Sequence, residues 1–288
     1  MKTHFDLDRT GCLVVSALSR TVRHDLVPIA RFTPDRRGFD LARVVGATQN
    51  DDVEQQAGGE SQLKVSEIFA SIQGEGISAG QRASFLRLAG CNLHCTWCDT
   101  KYTWDWQNFD YDAEVKRLSV AAVSEALHAL DPRRLVITGG EPLLQQTGIA
   151  QVLALLGNDW FVEVETNGTL APDPALLERV NQWNVSPKLS HAADPEAQRI
   201  RLSTLQTFAR LPAAWLKVVI EQASDLAELD RLIASSQWSK DRILLMPQAS
   251  TATDLQQRSP VINALASSRG LGVSPRLHVA RWNGRRGV

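Results

Sequence analysis

The chain has 288 residues, 43% of them hydrophobic, and its 31 lysines and arginines nearly cancel its 32 aspartates and glutamates. That is chain enough for a large core, while the balanced charge offers no basic field for nucleic acid and no polybasic surface for a membrane. No run of 18 apolar residues occurs, and the N-terminus, with Asp6, Asp8 and Arg9 ahead of Leu13–Leu18, lacks the layout of a secretory signal, so a cytoplasmic protein is expected.

Residues 1–62 read differently from the rest. They carry scattered charges, a Pro34-Asp35-Arg36-Arg37-Gly38 turn and a polar stretch from Gln49 to Gln62 with Gly58-Gly59. The pattern predicts a poorly ordered N-terminal extension ending in a linker. A small packed subdomain is the alternative, with short strands at Leu13–Leu18 and Leu26–Phe32.

From Leu63 onward, short β-rich runs alternate with amphipathic stretches of helical length. Strands are predicted at Val65–Phe69, Ala83–Leu88, Leu135–Thr138, Phe161–Thr166, Trp183–Ser186, Trp215–Ile220, Ile243–Met246 and Val273–Val279. Helices are predicted at Val120–Leu130, Leu144–Leu156, Pro174–Val180, Pro195–Ala209, Leu226–Ser235 and Leu255–Ser268. Repeated β-then-α order implies an α/β fold with a parallel sheet and right-handed crossovers. Residues 63–288 are short for a complete eightfold barrel, so the expected catalytic domain is a partial, open TIM-like barrel of about six parallel strands.

The polar motifs fall at the carboxyl ends of these strands. Cys91, Cys95 and Cys98 follow Ala83–Leu88; Gly139-Gly140-Glu141-Pro142 follows Leu135–Thr138; Glu165-Thr166-Asn167-Gly168 ends Phe161–Thr166; Ser186-Pro187-Lys188 ends Trp183–Ser186; Met246-Pro247-Gln248 ends Ile243–Met246. In parallel α/β folds sites assemble at that rim, so these segments are expected around one ligand pocket.

Four cysteines are too few for a disulfide scaffold, and three of them lie within the eight residues from Cys91 to Cys98. Three thiolates can hold three irons of a four-iron cluster and leave the fourth open to a ligand. The competing reading is a structural zinc site completed by His94 or Cys12, disfavoured because no second C-x-x-C unit is present. The spacing, with Trp97 just before the last cysteine, resembles the radical S-adenosylmethionine (SAM) superfamily signature. That resemblance implies a [4Fe-4S] cluster whose open iron binds SAM, cleavage of the nucleotide to a 5′-deoxyadenosyl radical, no catalytic side chain beyond cluster and radical, and an electron donor such as flavodoxin or ferredoxin. Thr138-Gly139-Gly140-Glu141-Pro142 matches the second element of the superfamily, glycines there letting backbone approach the nucleotide.

Three further segments carry a narrower resemblance: Glu67-Ile68-Phe69 with Ile72-Gln73-Gly74-Glu75-Gly76, Cys98-Asp99-Thr100 leading into Tyr102-Thr103-Trp104, and His278 with Trp282-Asn283-Gly284-Arg285-Arg286-Gly287-Val288. Over residues 63–288 the chain resembles the 7-carboxy-7-deazaguanine synthases of queuosine biosynthesis. The resemblance implies contraction of 6-carboxy-5,6,7,8-tetrahydropterin to 7-carboxy-7-deazaguanine with release of ammonia, a requirement for Mg²⁺, and a homodimer. It assigns substrate contacts to Ile72, Gln73, Gly74, Arg87, Thr138 and the terminal carboxylate of Val288. It assigns nucleotide contacts to Trp97, Cys98, Asp99, Gly140, Glu165, Ser186, Pro187 and Lys188, and Mg²⁺ to Thr100, whose hydroxyl suits a hard cation. Glu75 and Glu165 both remain candidates for reading the pterin ring. His278 stands either in the pocket or packed in a strand, Arg87 either binds a carboxylate or is salt-bridged, and Arg285-Arg286 reads as a solvated tail. Residues 1–62 depart from the family pattern, and with Leu63 where an initiator would stand, the extension is expected to be a start-site artefact. The rival activities are a radical activase acting on a glycine of a partner protein and a non-catalytic zinc module.

Overall fold

A computed structural model describes residues 61–287. The predicted N-terminal extension, Ser61 and Gln62 apart, and Val288 lie outside the described residues. The chain runs along β1 (Gln62–Ile72), turns, and returns antiparallel to it as β2 (Arg82–Leu88), with Phe69 opposite Phe85. The turn over residues 73–81 is shorter than a parallel crossover needs, so a hairpin is the outcome open to it. The edge strand β3 (Lys116–Ser119) pairs with the other side of β1. Then β4 (Arg134–Gly139), β5 (Phe161–Thr166), β6 (Gln182–Val185), β7 (Ala214–Ile220), β8 (Ile243–Pro247) and the short β9 (Gly272–Val273) add to β2, every pair parallel.

The result is one sheet in the order β3-β1-β2-β4-β5-β6-β7-β8-β9. Its ends, β3 and β9, do not meet, so the barrel is open, as expected, and the parallel strands of four or more residues are the six from β2 to β8 other than β3. The helices among the described residues, in chain order, are α1 (Tyr111–Glu114), α2 (Val120–His128), α3 (Gln146–Leu156), α4 (Pro174–Leu177), α5 (Glu196–Arg199), α6 (Leu202–Ala209), α7 (Asp225–Ser236), α8 (Ala252–Arg269) and α9 (Leu277–Trp282). Among the described residues no helix is long and apolar enough to cross a membrane.

Besides α1, which no predicted helix covers, three elements differ from those expected. The predicted strand Val273–Val279 pairs only over Gly272–Val273; Ser274 gives the last ladder bond to the Leu245 carbonyl at 2.9 Å, Pro275 has no N–H to continue it, and the chain enters α9 instead, so His278 stands on a helix. The helix predicted over Pro195–Ala209 is two helices, because Ile200 takes an extended conformation (φ −120°, ψ 115°) between α5 and α6. β3 was not foreseen at all: Leu118 alone of its four residues is buried, which leaves no alternation to read.

Side chains alternate across each parallel strand and the two faces differ in kind. Leu86 and Leu88, Leu135 and Ile137, Val162 and Val164, Trp183 and Val185, and Leu216, Val218 and Ile220 face the helices in one continuous core, each 0–1% exposed. Burying each such side chain contributes on the order of 2 kcal/mol, so this face holds the barrel together. On the opposite face Arg87, Thr138, Glu163, Glu165, Asn184 and Lys217 gather beneath the rim, beside a small apolar cluster of Ala83, Phe85 and Val136.

Candidate active site

The segment after β2 is a loop, and its backbone is tied down on every side. Gly90 donates to the Thr103 carbonyl at 2.6 Å, His94 to Asp194 Oδ1 at 2.9 Å and Thr96 to the Ala192 carbonyl at 3.1 Å. Asn92 donates to Thr169 Oγ1 and accepts from Asn167, at 2.8 and 2.9 Å. This holds Cys91, Cys95 and Cys98, none of them disulfide-bonded, on the wall of a cavity of about 510 Å³. Leu93 N–H points at Cys91 Sγ (3.5 Å) and Trp104 Nε1–H at Cys98 Sγ (3.4 Å), donors placed where a thiolate gains from them. Trp104 also packs on His94, ring centroids 4.9 Å apart.

Burial pushes the Cys91 and Cys95 thiols up to about 12, with the neighbouring Cys98 adding to the effect in both. Without a cation they stay protonated at neutral pH, and loading metal must expel protons. No three His, Cys, Asp or Glu groups among the described residues converge as ligands of one ion, and Cys98 is the last cysteine of the set. Three free thiols on one cavity wall, with N–H donors on two of the sulfurs, are a donor set that suits a multi-iron cluster bound by three thiolates.

The glycine turn after β4 lies against this loop. A Cβ on Gly140 would stand 2.0 Å from the Gly90 carbonyl oxygen, and Gly139 sits at φ +133°, so the turn is glycine first because two backbones touch there. Glu141 is fully buried and receives Leu143 N–H (3.0 Å), Thr166 Oγ1–H (2.8 Å) and Asn167 N–H (2.7 Å), a strap between the ends of β4 and β5. Lys188 donates to the Ser186 carbonyl and hydroxyl at 2.8 and 3.0 Å and lies 5.8 Å from the Trp97 ring.

Within the lumen the charged groups form a network. Lys217, 3% exposed, donates to Glu75 Oε2 at 2.5 Å and Glu165 Oε1 at 3.2 Å. Arg276 donates to Glu75 Oε1 at 3.2 Å, with His278 Nε2 3.7 Å away. Thr138 Oγ1–H and Gln73 Nε2–H add to Glu165 at 2.9 and 3.4 Å, and Gln73 reaches Glu163 at 2.9 Å. Burial alone would raise the Glu75 carboxyl, but the Lys217 and Arg276 cations hold it well below the usual carboxylate range. Lys217, which burial would lower, is raised by Glu165 and Glu75. Glu75 therefore stays ionised, and Glu165 lines the same cavity beside it. Gly74 is glycine because His278 packs on it; a Cβ there would lie 2.3 Å from His278 Nδ1.

Arg87 is salt-bridged through Nε to Glu67 (2.7 Å), which also accepts from Tyr102 (2.9 Å), while its side chain still lines the cavity. Of the residues the sequence singled out, Ile72, Gln73, Gly74, Arg87, the three cysteines, Trp97, Asp99, Thr100, Thr138, Gly140, Glu165, Ser186 and Lys188 line this one cavity. Pro187 is buried beneath its rim, and Val288 lies outside the described residues. The Arg285-Arg286 pair is no free tail: Arg286 lies over Tyr102, 3.3 Å from the ring centroid, and pairs with Glu114 at 3.1 Å. No motif marks Lys217 or Arg276: the one signal for Lys217 is a lone charge in the apolar run Trp215-Leu216-Lys217-Val218-Val219, Arg276 between Pro275 and Leu277 has none, and Glu67 stands in the Glu67-Ile68-Phe69 segment with no role assigned to it.

Residues 86–201, which hold the cysteine loop, the glycine turn and the Ser186–Lys188 rim, match the Radical SAM superfamily model. Over 226 residues the chain is 38% identical to the 7-carboxy-7-deazaguanine synthase of Pyrobaculum aerophilum, covering 78% of this chain and 97% of that protein. The enzyme of the same name from Halobacterium salinarum is 34% identical over 242 residues, covering 77% and 91%. Among solved structures, QueE from Escherichia coli superposes with a TM-score of 0.57 at 25% identity, covering 74% of this chain and 93% of that one. Likeness on that scale, running through nearly the whole of each relative, leaves one conclusion: the chain belongs to the 7-carboxy-7-deazaguanine synthase family within the radical SAM superfamily.

Proposed function

We propose that the cavity divides the family's reaction, ring contraction of 6-carboxy-5,6,7,8-tetrahydropterin to 7-carboxy-7-deazaguanine with loss of ammonia, between two tiers of residues. Loops beyond the strand ends form the first tier: Cys91, Cys95 and Cys98 hold the cluster, and Trp97, Asp99, Gly140, Ser186 and Lys188 hold SAM, with Pro187 shaping the rim from below. Bound there, cluster and nucleotide supply the one-electron chemistry that removes a hydrogen atom from substrate. The second tier stands on the strands. Glu75 and Glu165, both ion-paired to Lys217, accept from the ring N–H and amino donors of the pterin. Thr138 and the Ile72-Gln73-Gly74 turn border the ring, and Arg87, its Nε committed to Glu67, keeps its terminal nitrogens for the substrate carboxylate. Glu165 bonds to Thr138, Gln73 and Lys217, which favours the pterin over the nucleotide as its ligand.

Thr100 is the Mg²⁺ ligand in this reading. Its hydroxyl lines the cavity and has only a weak 3.6 Å contact with Cys98 Sγ, leaving its lone pairs for a hard cation that keeps water and substrate oxygens as other ligands. The tail reaches the cavity through Asn283–Gly287. A flavodoxin or ferredoxin as reductant, a homodimer and a cytoplasmic location complete the proposal. The observation that carries it is the buried Glu75–Lys217–Glu165 bridge in the same cavity as three free thiols. Anaerobic incubation of reconstituted protein with carboxytetrahydropterin, SAM, reductant and Mg²⁺, analysed by mass, should yield the deazaguanine acid; SAM cleavage without that product would refute the substrate.

A further inference from the structure

Arg276 stands at the start of α9, 7% exposed, and its guanidinium joins three segments far apart in sequence. Nη2–H donates to Asp99 Oδ2 at 2.5 Å, Nε–H to Glu75 Oε1 at 3.2 Å, and Nη1–H to the Ala249 carbonyl. Asp99 follows Cys98 directly. From Glu75 the line of alternating charge continues through Lys217 to Glu165 and ends on Thr138. A continuous polar chain thus leads from the cysteine loop to the lumen residues.

Arg276 is not needed to hold its own segment in place. Leu277 N–H donates to the Gly74 carbonyl at 2.9 Å and Gly76 N–H to Ser274 Oγ at 2.8 Å, so one backbone bond and one to the Ser274 hydroxyl already dock residues 274–277 on the Glu75 turn. Beyond its bonds to Glu75 and the Ala249 carbonyl, its side chain adds the tie to Asp99, which is half exposed and has no other hydrogen-bonded side-chain partner among the described residues. The far side of the loop is held separately, by His94 and Thr96 on residues 192–194. A planar fork can hold both carboxylates at once in fixed geometry, which a lysine ammonium on a flexible stem cannot.

We infer that Arg276 is a positioning residue that couples occupancy of the pterin pocket to the shape of the nucleotide-binding cysteine loop. The inference rests on the proposed reading of Glu75 as a pterin contact and Asp99 as part of the SAM site. A ligand that bonds Glu75 competes for and reorients the guanidinium that fixes Asp99, and the resulting coupling is reciprocal between the two ligands.

The test is binding, not turnover. SAM affinity is measured by anaerobic equilibrium dialysis on cluster-loaded, unreduced protein, with and without saturating 6-carboxytetrahydropterin. In the wild type the pterin should change SAM affinity by about tenfold, a typical coupling. In Arg276→Gln the change should fall below about twofold while iron content and thermal midpoint stay at wild-type values, with Arg276→Lys intermediate. Asp99→Asn, a substitution at a half-exposed side chain, should lose the coupling equally even if Arg276→Gln folds poorly, and the double variant should lose no more than either single one. Wild-type protein that binds both ligands independently, or an Asp99→Asn variant with full coupling, overturns the inference. Wild-type protein that binds SAM but no pterin fails earlier, at the substrate reading itself, and takes the inference with it.

Discussion

The two faces of the same six strands are built on opposite principles. On the helix side, Leu216 and Val218 of β7 are fully buried in a core of aliphatic neighbours. On the lumen side, Lys217 between them is almost as buried, yet its neighbours are Glu75 and Glu165. Moving an ammonium and two carboxylates out of water costs several kcal/mol per ion, and their mutual attraction roughly returns it, so a well-packed apolar set would serve stability at least as well. A buried ion network beside a dry core therefore marks where the chain keeps chemistry instead of stability. If that division is right, substitutions on the two sides should separate cleanly into losses of function and losses of fold.

The largest effect should come from the rim loop. Cys95→Ala removes a cluster ligand from a loop held by its own backbone bonds, so reductive SAM cleavage should fall to background, at least about 10⁴-fold, while the urea midpoint moves little. Undiminished cleavage in that variant would mean the thiol is not a ligand. Lys217→Met should come next: similar in length, without the charge, it leaves Glu165 with only Thr138 and Gln73. About a hundredfold loss in kcat/KM for the pterin is expected, with SAM affinity unchanged, because Glu165 loses the cation that holds it in place. An equal loss in SAM affinity would erase the distinction between loop and strand tiers. Leu216→Ala, one residue away on the opposite face, should cost about 3 kcal/mol of stability and leave kcat of the folded fraction intact. A kcat defect there would break the comparison from the other side.

How much of this the sequence carries depends on whether the signal is local. Cys91–Cys98, Gly139–Pro142 and Ser186–Lys188 are short motifs at strand ends, and they do line one cavity. The strand pattern was legible for the same reason, since alternation over four to seven residues is a property of neighbours in the chain. Lys217 was not legible, because what makes it meaningful is Glu75, 142 residues earlier. Arg276 is similar, 177 residues from Asp99 and placed within a stretch whose alternation imitates a strand until Pro275 interrupts it. The glycines were legible but for an incomplete reason: spacing announced a ligand site, whereas the 2.0 Å approach of Gly140 to Gly90 is a packing demand met before any ligand binds. Long-range ion pairs leave no periodicity, only an anomalous charge.

The smallest effect concerns pH and sharpens the comparison most finely. Glu75 has its carboxyl held below the ordinary value of 4.5, so its pairing adds stability that is fully present above that pH and is lost as pH falls toward the depressed folded-state value. Lys217 is raised above 10.5, so its share is present below that pH and is lost as pH rises through the folded-state value. Between the two lies a plateau. Lys217→Met removes the lysine's share and leaves Glu75 paired with Arg276, so the stability difference from wild type should be flat from about pH 6 to 9 and shrink by about 1 kcal/mol as pH falls to about 3. Leu216→Ala, with no proton to exchange, should show a difference that is independent of pH over the same range. Urea unfolding of both variants at three pH values distinguishes them: parallel curves for Lys217→Met would mean the lumen charges are screened by water, and that the two faces differ less in physics than in composition.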